Sequence, residues 1–93
     1  MTLYIYAGGQ ANRRGFADAT IDLPSDLINF LNERNIFIDE YGTYTLQIEQ
    51  IAVVKKLVEE YLKANKLEKK YLDDIKTLIE IGGNNPSITL IGD

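Results

Sequence analysis

The feature that most constrains the fold is a change in hydrophobic period about halfway along the chain. In residues 49–64 apolar side chains recur every three or four positions, and a second stripe with the same spacing occupies residues 67–79. The register breaks at residues 65–66, and a Gly-Gly pair at residues 82–83 is a natural helix stop. The sequence therefore predicts two amphipathic helices that form a helical hairpin.

Short segments of β type occupy most of the remaining chain. Residues 3–7 are an apolar and aromatic run before a Gly-Gly pair, and residues 16–22 alternate, with two carboxylates and a threonine on one side. These two segments are expected to form a hairpin. Residues 43–48 alternate again, residues 87–91 are a β-branched run that can return to the sheet, and residues 36–38 either pair as a strand or only pack.

A short helix is expected between the second and third strands. Pro24 suits the first turn of a helix, and either Asp22 or Ser25 can cap it. Asp26 lies where the helix dipole favours an acid, and the helix should run to about Arg34.

Together these elements predict an α+β fold. We expect a small antiparallel sheet of three to four strands, with one short helix and a C-terminal helical hairpin, in a single domain over residues 1–93. The chain has 93 residues, of which 45% are hydrophobic and 26% charged, and this balance suits one globular core but not two.

Cysteine and histidine are both absent, and this narrows the chemistry that the chain can perform. Without cysteine there is no disulfide and no thiolate ligand, and without histidine the commonest general base and metal ligand are missing. No spaced run of acids resembles a calcium loop. The first residues have no basic region and too short an apolar run for a signal peptide or membrane span. We therefore expect a cytoplasmic protein, in the host cytoplasm if it is phage-encoded, with no metal, no cofactor and no enzymatic activity.

The charge of −4 is unevenly distributed. Residues 15–50 carry seven acidic residues and one basic residue, Arg34, whereas residues 51–93 carry seven of each sign. A nucleic-acid-binding domain normally shows the opposite sign on its working face. We therefore expect a protein partner with a basic surface, and neither direct nucleic-acid contact nor membrane binding. The helical stripes leave a homodimer open.

Two other motifs have some of the residues that a ligand site needs. The Gly-Gly pair at residues 8–9 lacks the third glycine, the lysine and the following helix that a phosphate-binding loop needs, so a hairpin turn is favoured. The Arg-Arg pair at residues 13–14, with Tyr4 and Tyr6 nearby, could stack on single-stranded nucleic acid, but two cations are few among the surrounding acids.

Acidic and aromatic residues are the candidates for partner binding. Tyrosine serves interfaces well because its ring is apolar and its hydroxyl is polar, and Tyr41 and Tyr44 lie close to acids in the sequence. The candidate partner-binding residues are Asp18, Asp22, Asp26, Glu33, Asp39, Glu40, Tyr41, Tyr44 and Glu49.

The order of motifs also resembles a known family, the ArdA antirestriction proteins, in their N-terminal domain. The resemblance lies in a first strand, a polar turn, a second strand that leads into a helix, and an acidic-aromatic motif before a β segment; the residues are Tyr4-Ile5, Asn12 to Gly15, Ile21-Asp22-Leu23-Pro24 and Asp39-Glu40-Tyr41. It implies a protein of phages, plasmids or transposons that mimics the charge pattern of DNA and occupies the DNA site of type I restriction-modification enzymes.

These observations give the functional hypothesis. We expect an acidic inhibitor from a phage or other mobile element that binds a host nucleic-acid-processing defence enzyme, of antirestriction or anti-CRISPR type, by DNA mimicry. Two alternatives stay open: an immunity protein or antitoxin that caps a basic toxin, and a phage structural or assembly protein.

Overall fold

A computed structural model of the chain describes residues 2–8, 17–39 and 41–92. Across these residues it confirms the predicted α+β fold, with a four-stranded antiparallel sheet and three helices. In chain order the elements are β1 (Thr2–Ala7), β2 (Ala19–Asp22), α1 (Ser25–Asn32), β3 (Thr43–Gln47), α2 (Ile48–Ala64), α3 (Lys69–Gly83) and β4 (Ser87–Gly92).

The sheet has the strand order β2-β1-β4-β3, so the first and last strands of the chain lie at its centre. β1 and β2 form the expected hairpin, with Leu3 opposite Ile21. β4 pairs with β1 on one side and with β3 on the other, which aligns Leu90 with both Ile5 and Tyr44. β2 and β3 are therefore the two edge strands.

One face of the sheet carries the apolar residues, and the helices cover this face. Its fully buried side chains are Leu3, Ile5, Ile21, Leu46, Ile88 and Leu90. The helices contribute Leu27, Ile28, Leu31, Ile51, Val54, Val58, Tyr61, Ile75 and Leu78 to the same buried cluster. The predicted stripes of the helical hairpin thus face the core, and α3 lies against both α2 and β2.

Helices α2 and α3 approach each other closely at one glycine. A Cβ atom built on Gly82 would lie 2.5 Å from Cδ1 and 2.6 Å from Cγ1 of Ile51, a buried residue in the first turn of α2. Only a residue without a side chain fits this spacing.

The ends of two elements differ from the predictions. The expected capping of α1 by Asp22 or Ser25 is wrong: Pro24 is the N-cap residue and makes no side-chain capping bond. Asp22 instead ends β2 and donates its N–H to the Asp74 carboxylate at 2.8 Å. α1 also ends at Asn32, two residues before the expected Arg34.

Strand β3 ends one residue earlier than expected because its last residue caps the next helix. Gln47 and Gln50 form a capping box at the start of α2, in which the Gln47 N–H donates to Gln50 Oε1 at 2.9 Å. The Arg-Arg pair at residues 13–14 and the turn predicted before Gly15 lie outside the described residues. Of the helices that the structure describes, none combines the length and the apolar character needed to cross a membrane.

Candidate functional site

A cleft of about 500 Å³ opens between the segment that follows α1 and the beginning of β3. We call it the 37–44 cleft; it is lined by Asn32, Phe37, Ile38, Asp39, Tyr41, Thr43 and Tyr44. It combines three aromatic rings, two of which carry a hydroxyl, with one carboxylate, a threonine hydroxyl and an amide, groups that bind by apolar contact and hydrogen bonding.

One wall of the cleft is held by the side chain of Asn32. Its Oδ1 accepts the Ile38 N–H at 2.8 Å, and its Nδ2 donates to the Ile38 carbonyl at 3.5 Å. Ile36 and Ile38 are buried, so the alternation of an extended chain turns Phe37 towards solvent, where 55% of it is exposed. The residues that were expected either to pair or to pack therefore pack, with Asn32 satisfying Ile38 in place of a neighbouring strand.

A tight turn at the mouth of the cleft is organised by Asp39. Its Oδ1 accepts the N–H of Tyr41 at 2.9 Å, a short-range bond typical of turns that begin with aspartate. A Cβ atom at Gly42 would collide with the Asp39 carboxylate, which would then have to move away from the turn. The turn leaves Tyr41 82% exposed beside a carboxylate.

Tyr44 forms the opposite wall and is tied to α2. It lies on the core face of β3 and is half-buried. Its hydroxyl accepts a hydrogen bond from Gln50 Nε2 at 3.3 Å, and Gln50 itself belongs to the capping box of α2. The start of α2 therefore fixes the orientation of the Tyr44 ring.

Three of the nine predicted partner-binding residues, Asp39, Tyr41 and Tyr44, line this cleft. The others lie elsewhere: Asp26 in the first turn of α1, Glu33 at its C-cap and Glu49 in the first turn of α2, all exposed. Glu40 lies outside the described residues.

The two predicted acids near β2 are engaged within the protein. Asp18 Oδ2 accepts the Ala7 N–H at 2.7 Å, which closes the end of the β1–β2 hairpin. Asp22 forms an ion pair with Lys70 at 3.9 Å. Both groups of this pair are well exposed, so the pair adds little stability. These two carboxylates therefore stabilise the fold at least as much as they are available to bind a partner.

The sequence prediction missed Phe37 and Asn32. The position of Phe37 between two isoleucines is nevertheless a signal, because one of three consecutive extended residues must face away from the core. Nothing in the sequence indicates the role of Asn32, because this role depends on a hydrogen-bond partner six positions later in the chain. Within the described ranges, no group of three or more acidic residues is arranged to hold a metal ion.

A second groove, of about 340 Å³, runs between α2 and α3. Its floor is apolar and includes Val58, Ile75 and the 38% exposed Leu72. Two lysines and two glutamates rim it: Lys55, Glu59, Lys76 and Glu80. The charges on its rim therefore cancel. The 37–44 cleft, in contrast, is built by the acidic first half of the chain.

Comparison with known proteins gives no identification. No protein-family model matches the chain, and no significant match is found among curated proteins or solved structures.

Proposed function

We propose that this chain is a protein-binding inhibitor from a phage or other mobile element, and that it holds a host nucleic-acid-processing defence enzyme at the 37–44 cleft. The observation that carries the proposal is that Phe37 and Tyr41, 55% and 82% exposed, flank Asp39 at one cleft. Aromatic residues are enriched at the centre of interfaces, where a few side chains supply most of the binding energy.

The charge around the cleft favours a basic partner. Arg34, the one cation of residues 15–50, is occupied locally: its guanidinium lies 3.6 Å from the centre of the Phe30 ring and donates to the Phe30 carbonyl. The exposed acids of residues 15–50 can then attract cations within the Debye length, which is about 8 Å at physiological salt. Besides Asp18, the described members of this set are Asp26, Glu33, Asp39 and Glu49.

DNA mimicry is the form of the proposal that the resemblance to ArdA implies. Asp18 and Asp22 are already engaged with Ala7 and Lys70, which supports a division of roles. In this division the 37–44 cleft supplies most of the affinity. The remaining carboxylates attract and orient the surface of the target enzyme that normally binds phosphates.

Two alternative functions rest on the same surfaces. An immunity protein or antitoxin would use the 37–44 cleft in the same way, but its target would be a basic toxin. A phage assembly protein is favoured instead by the apolar groove between α2 and α3, where Leu72 is exposed.

The test is affinity capture from bacterial lysate with matched variants. The cleft variant carries Phe37→Ser and Tyr41→Ser; its control carries Val53→Ser and Leu72→Ser, which remove two other exposed apolar side chains. A second pair tests charge, each variant changing four exposed acids to amides: Asp26, Glu33, Asp39 and Glu49 in one, and Glu59, Glu60, Glu68 and Asp73 in its control.

We expect both control variants to retain the partner that the intact protein captures. Losing two interface aromatics should weaken binding about 30-fold or more, because such residues contribute about 1–2 kcal/mol each. Displacement of a captured nuclease by duplex DNA supports the inhibitor, and capture of a toxin that ignores DNA supports the antitoxin. Equal binding by the cleft variant and its control would refute the cleft as the site.

A further inference from the structure

The backbone of β3 offers hydrogen-bonding groups at the edge of the sheet. Two observed hydrogen bonds show which residues along β3 pair with β4. Gly92 donates its N–H to the Gly42 carbonyl at 2.8 Å, and Ile48 donates its N–H to the Pro86 carbonyl at 2.9 Å. In an antiparallel pair, bonded positions alternate along the strand. The even-numbered residues of β3 therefore face β4, and the N–H and C=O groups of the odd-numbered residues face outwards.

For two of these outward residues, the described part of the chain supplies no backbone partner. The third, Gln47, donates its N–H to Gln50 in the capping box. Among the residues that the structure describes, no hydrogen bond reaches the backbone of Thr43 or Thr45. These residues thus present the alternating donors and acceptors that an additional strand requires.

The other edge strand, β2, has more of the usual protections than β3. β2 has four residues, leads directly into Leu23-Pro24, and its terminal N–H is occupied by the Asp74 carboxylate of α3. Short length, proline and a charged cover are the usual protections of an edge strand. The sequence of β3, Thr-Tyr-Thr-Leu-Gln, has no lysine, proline or acid, and threonine and tyrosine favour strands.

The free edge of β3 continues into the 37–44 cleft, since Thr43 and Tyr44 belong to both. An added strand would place every second side chain on the face that Tyr44 occupies. Because Tyr44 also lines the cleft, these side chains would lie beside it. The edge would supply affinity through main-chain bonds, and the cleft would supply specificity.

We infer that β3 binds an extended, basic segment of the target protein as a fifth strand of the sheet. This inference rests on the proposed function and specifies how the target is held. The charge argues against a second copy of this chain: residues 33–50 carry four acids and one base, and Arg34, the base, is stacked on Phe30. Two such edges would repel each other, whereas lysine and arginine on the incoming strand would pair with Asp39 and Glu49.

The test uses peptides and does not require the target. The probe is a ten-residue peptide of alternating lysine and valine, and the control peptides are its glutamate-valine counterpart and a form methylated on alternate backbone nitrogens. Binding is followed by nuclear magnetic resonance titration, together with amide hydrogen exchange of Thr43 and Thr45.

Proline substitution on β3 separates backbone pairing from other contacts. Thr45→Pro removes an outward N–H without breaking a bond to β4, and Thr45→Val keeps the N–H while removing the hydroxyl. Thr43→Pro, at the first position of the strand, is a second variant in case the first one perturbs the fold, which far-ultraviolet circular dichroism checks.

We expect the lysine-valine peptide to protect the amides of Thr43 and Thr45, and both control peptides to bind poorly. Either proline variant should lose about tenfold in affinity, as expected when one bond of the ladder is lost and its partner stays unpaired, while Thr45→Val binds normally. Peptide binding without protection of these amides would overturn the inference, and so would protection that appears with protein concentration alone and thereby indicates a second copy.

The two proposals can fail separately. If target capture depends on Phe37 and Tyr41 but survives Thr45→Pro, the cleft is the binding site and the fifth strand is refuted. If the peptide adds to β3 but Phe37→Ser and Tyr41→Ser leave target capture unaffected, the edge of β3 binds extended strands. The inhibitor proposal then loses the observation on which it rests.

Discussion

Replacing Gly82 with alanine tests how closely α2 and α3 are packed. The new Cβ would lie 2.5 Å and 2.6 Å from two carbons of Ile51, which is branched and buried, so that the whole side chain or the helix must move. Overpacking of this kind costs about 1–3 kcal/mol. Alanine also has a helix propensity about 1 kcal/mol better than glycine, which offsets part of the loss.

Gly83, the next residue in the same helix, is the matched control. A Cβ there would have no atom within 4 Å, and neither glycine has a positive φ angle. Gly83→Ala should therefore be neutral or raise the free energy of unfolding by up to about 1 kcal/mol. The difference between the two variants isolates the packing cost.

Urea and thermal unfolding, followed by far-ultraviolet circular dichroism, measure this difference. We expect Gly82→Ala to melt below Gly83→Ala by at least about 4 °C, since 1 kcal/mol corresponds to about 4–8 °C in a domain of this size. Equal stability of the two variants would mean that α2 and α3 are not in close contact at Gly82.

Three further substitutions probe the fold around the edges and the core. Asn32→Ala leaves the backbone of Ile38 without its partner and should lower the free energy of unfolding by about 1–3 kcal/mol; unchanged hydrogen exchange at the Ile38 amide would contradict this. Asp74→Ala uncovers the N–H of Asp22 and should cost about 0.5–1.5 kcal/mol and speed exchange at that amide. Leu90→Ala, at the buried centre of the sheet, should cost about 2–5 kcal/mol in urea unfolding, and a loss below about 1 kcal/mol would argue against this core.

The helical hairpin was predictable from the sequence because its signal is local. The stripes of α2 and α3 repeat within a few residues, so both helices follow from the sequence; only the structure shows that the stripes face the sheet and not a second copy. The short elements were harder. Gln47 has a suitable pattern for a strand, and only its exchange of bonds with Gln50 assigns it to the helix cap.

The candidate site was partly predictable for a similar reason. Acids and tyrosines close together in sequence identified Asp39, Tyr41 and Tyr44, which do line one cleft. Phe37 was not predicted because its exposure depends on the burial of its two neighbours, one of which is held through its backbone by Asn32. Pairing with β4 decides which backbone groups of β3 face outwards. β4 lies about forty residues later, so the local sequence pattern around β3 does not reveal this pairing.

The central position of β4 sets the order in which the sheet can assemble. β1 pairs with β4 across nearly the whole length of the chain, with Leu3 beside Gly92, and β3 finds its only strand neighbour within the described sheet in β4 as well. During synthesis the β1–β2 and α2–α3 hairpins can form from local contacts, but the two halves of the sheet stay unjoined until β4 leaves the ribosome. Closing so long a loop costs entropy before any contact rewards it, so we expect docking of β4 between β1 and β3 to be a late step in folding.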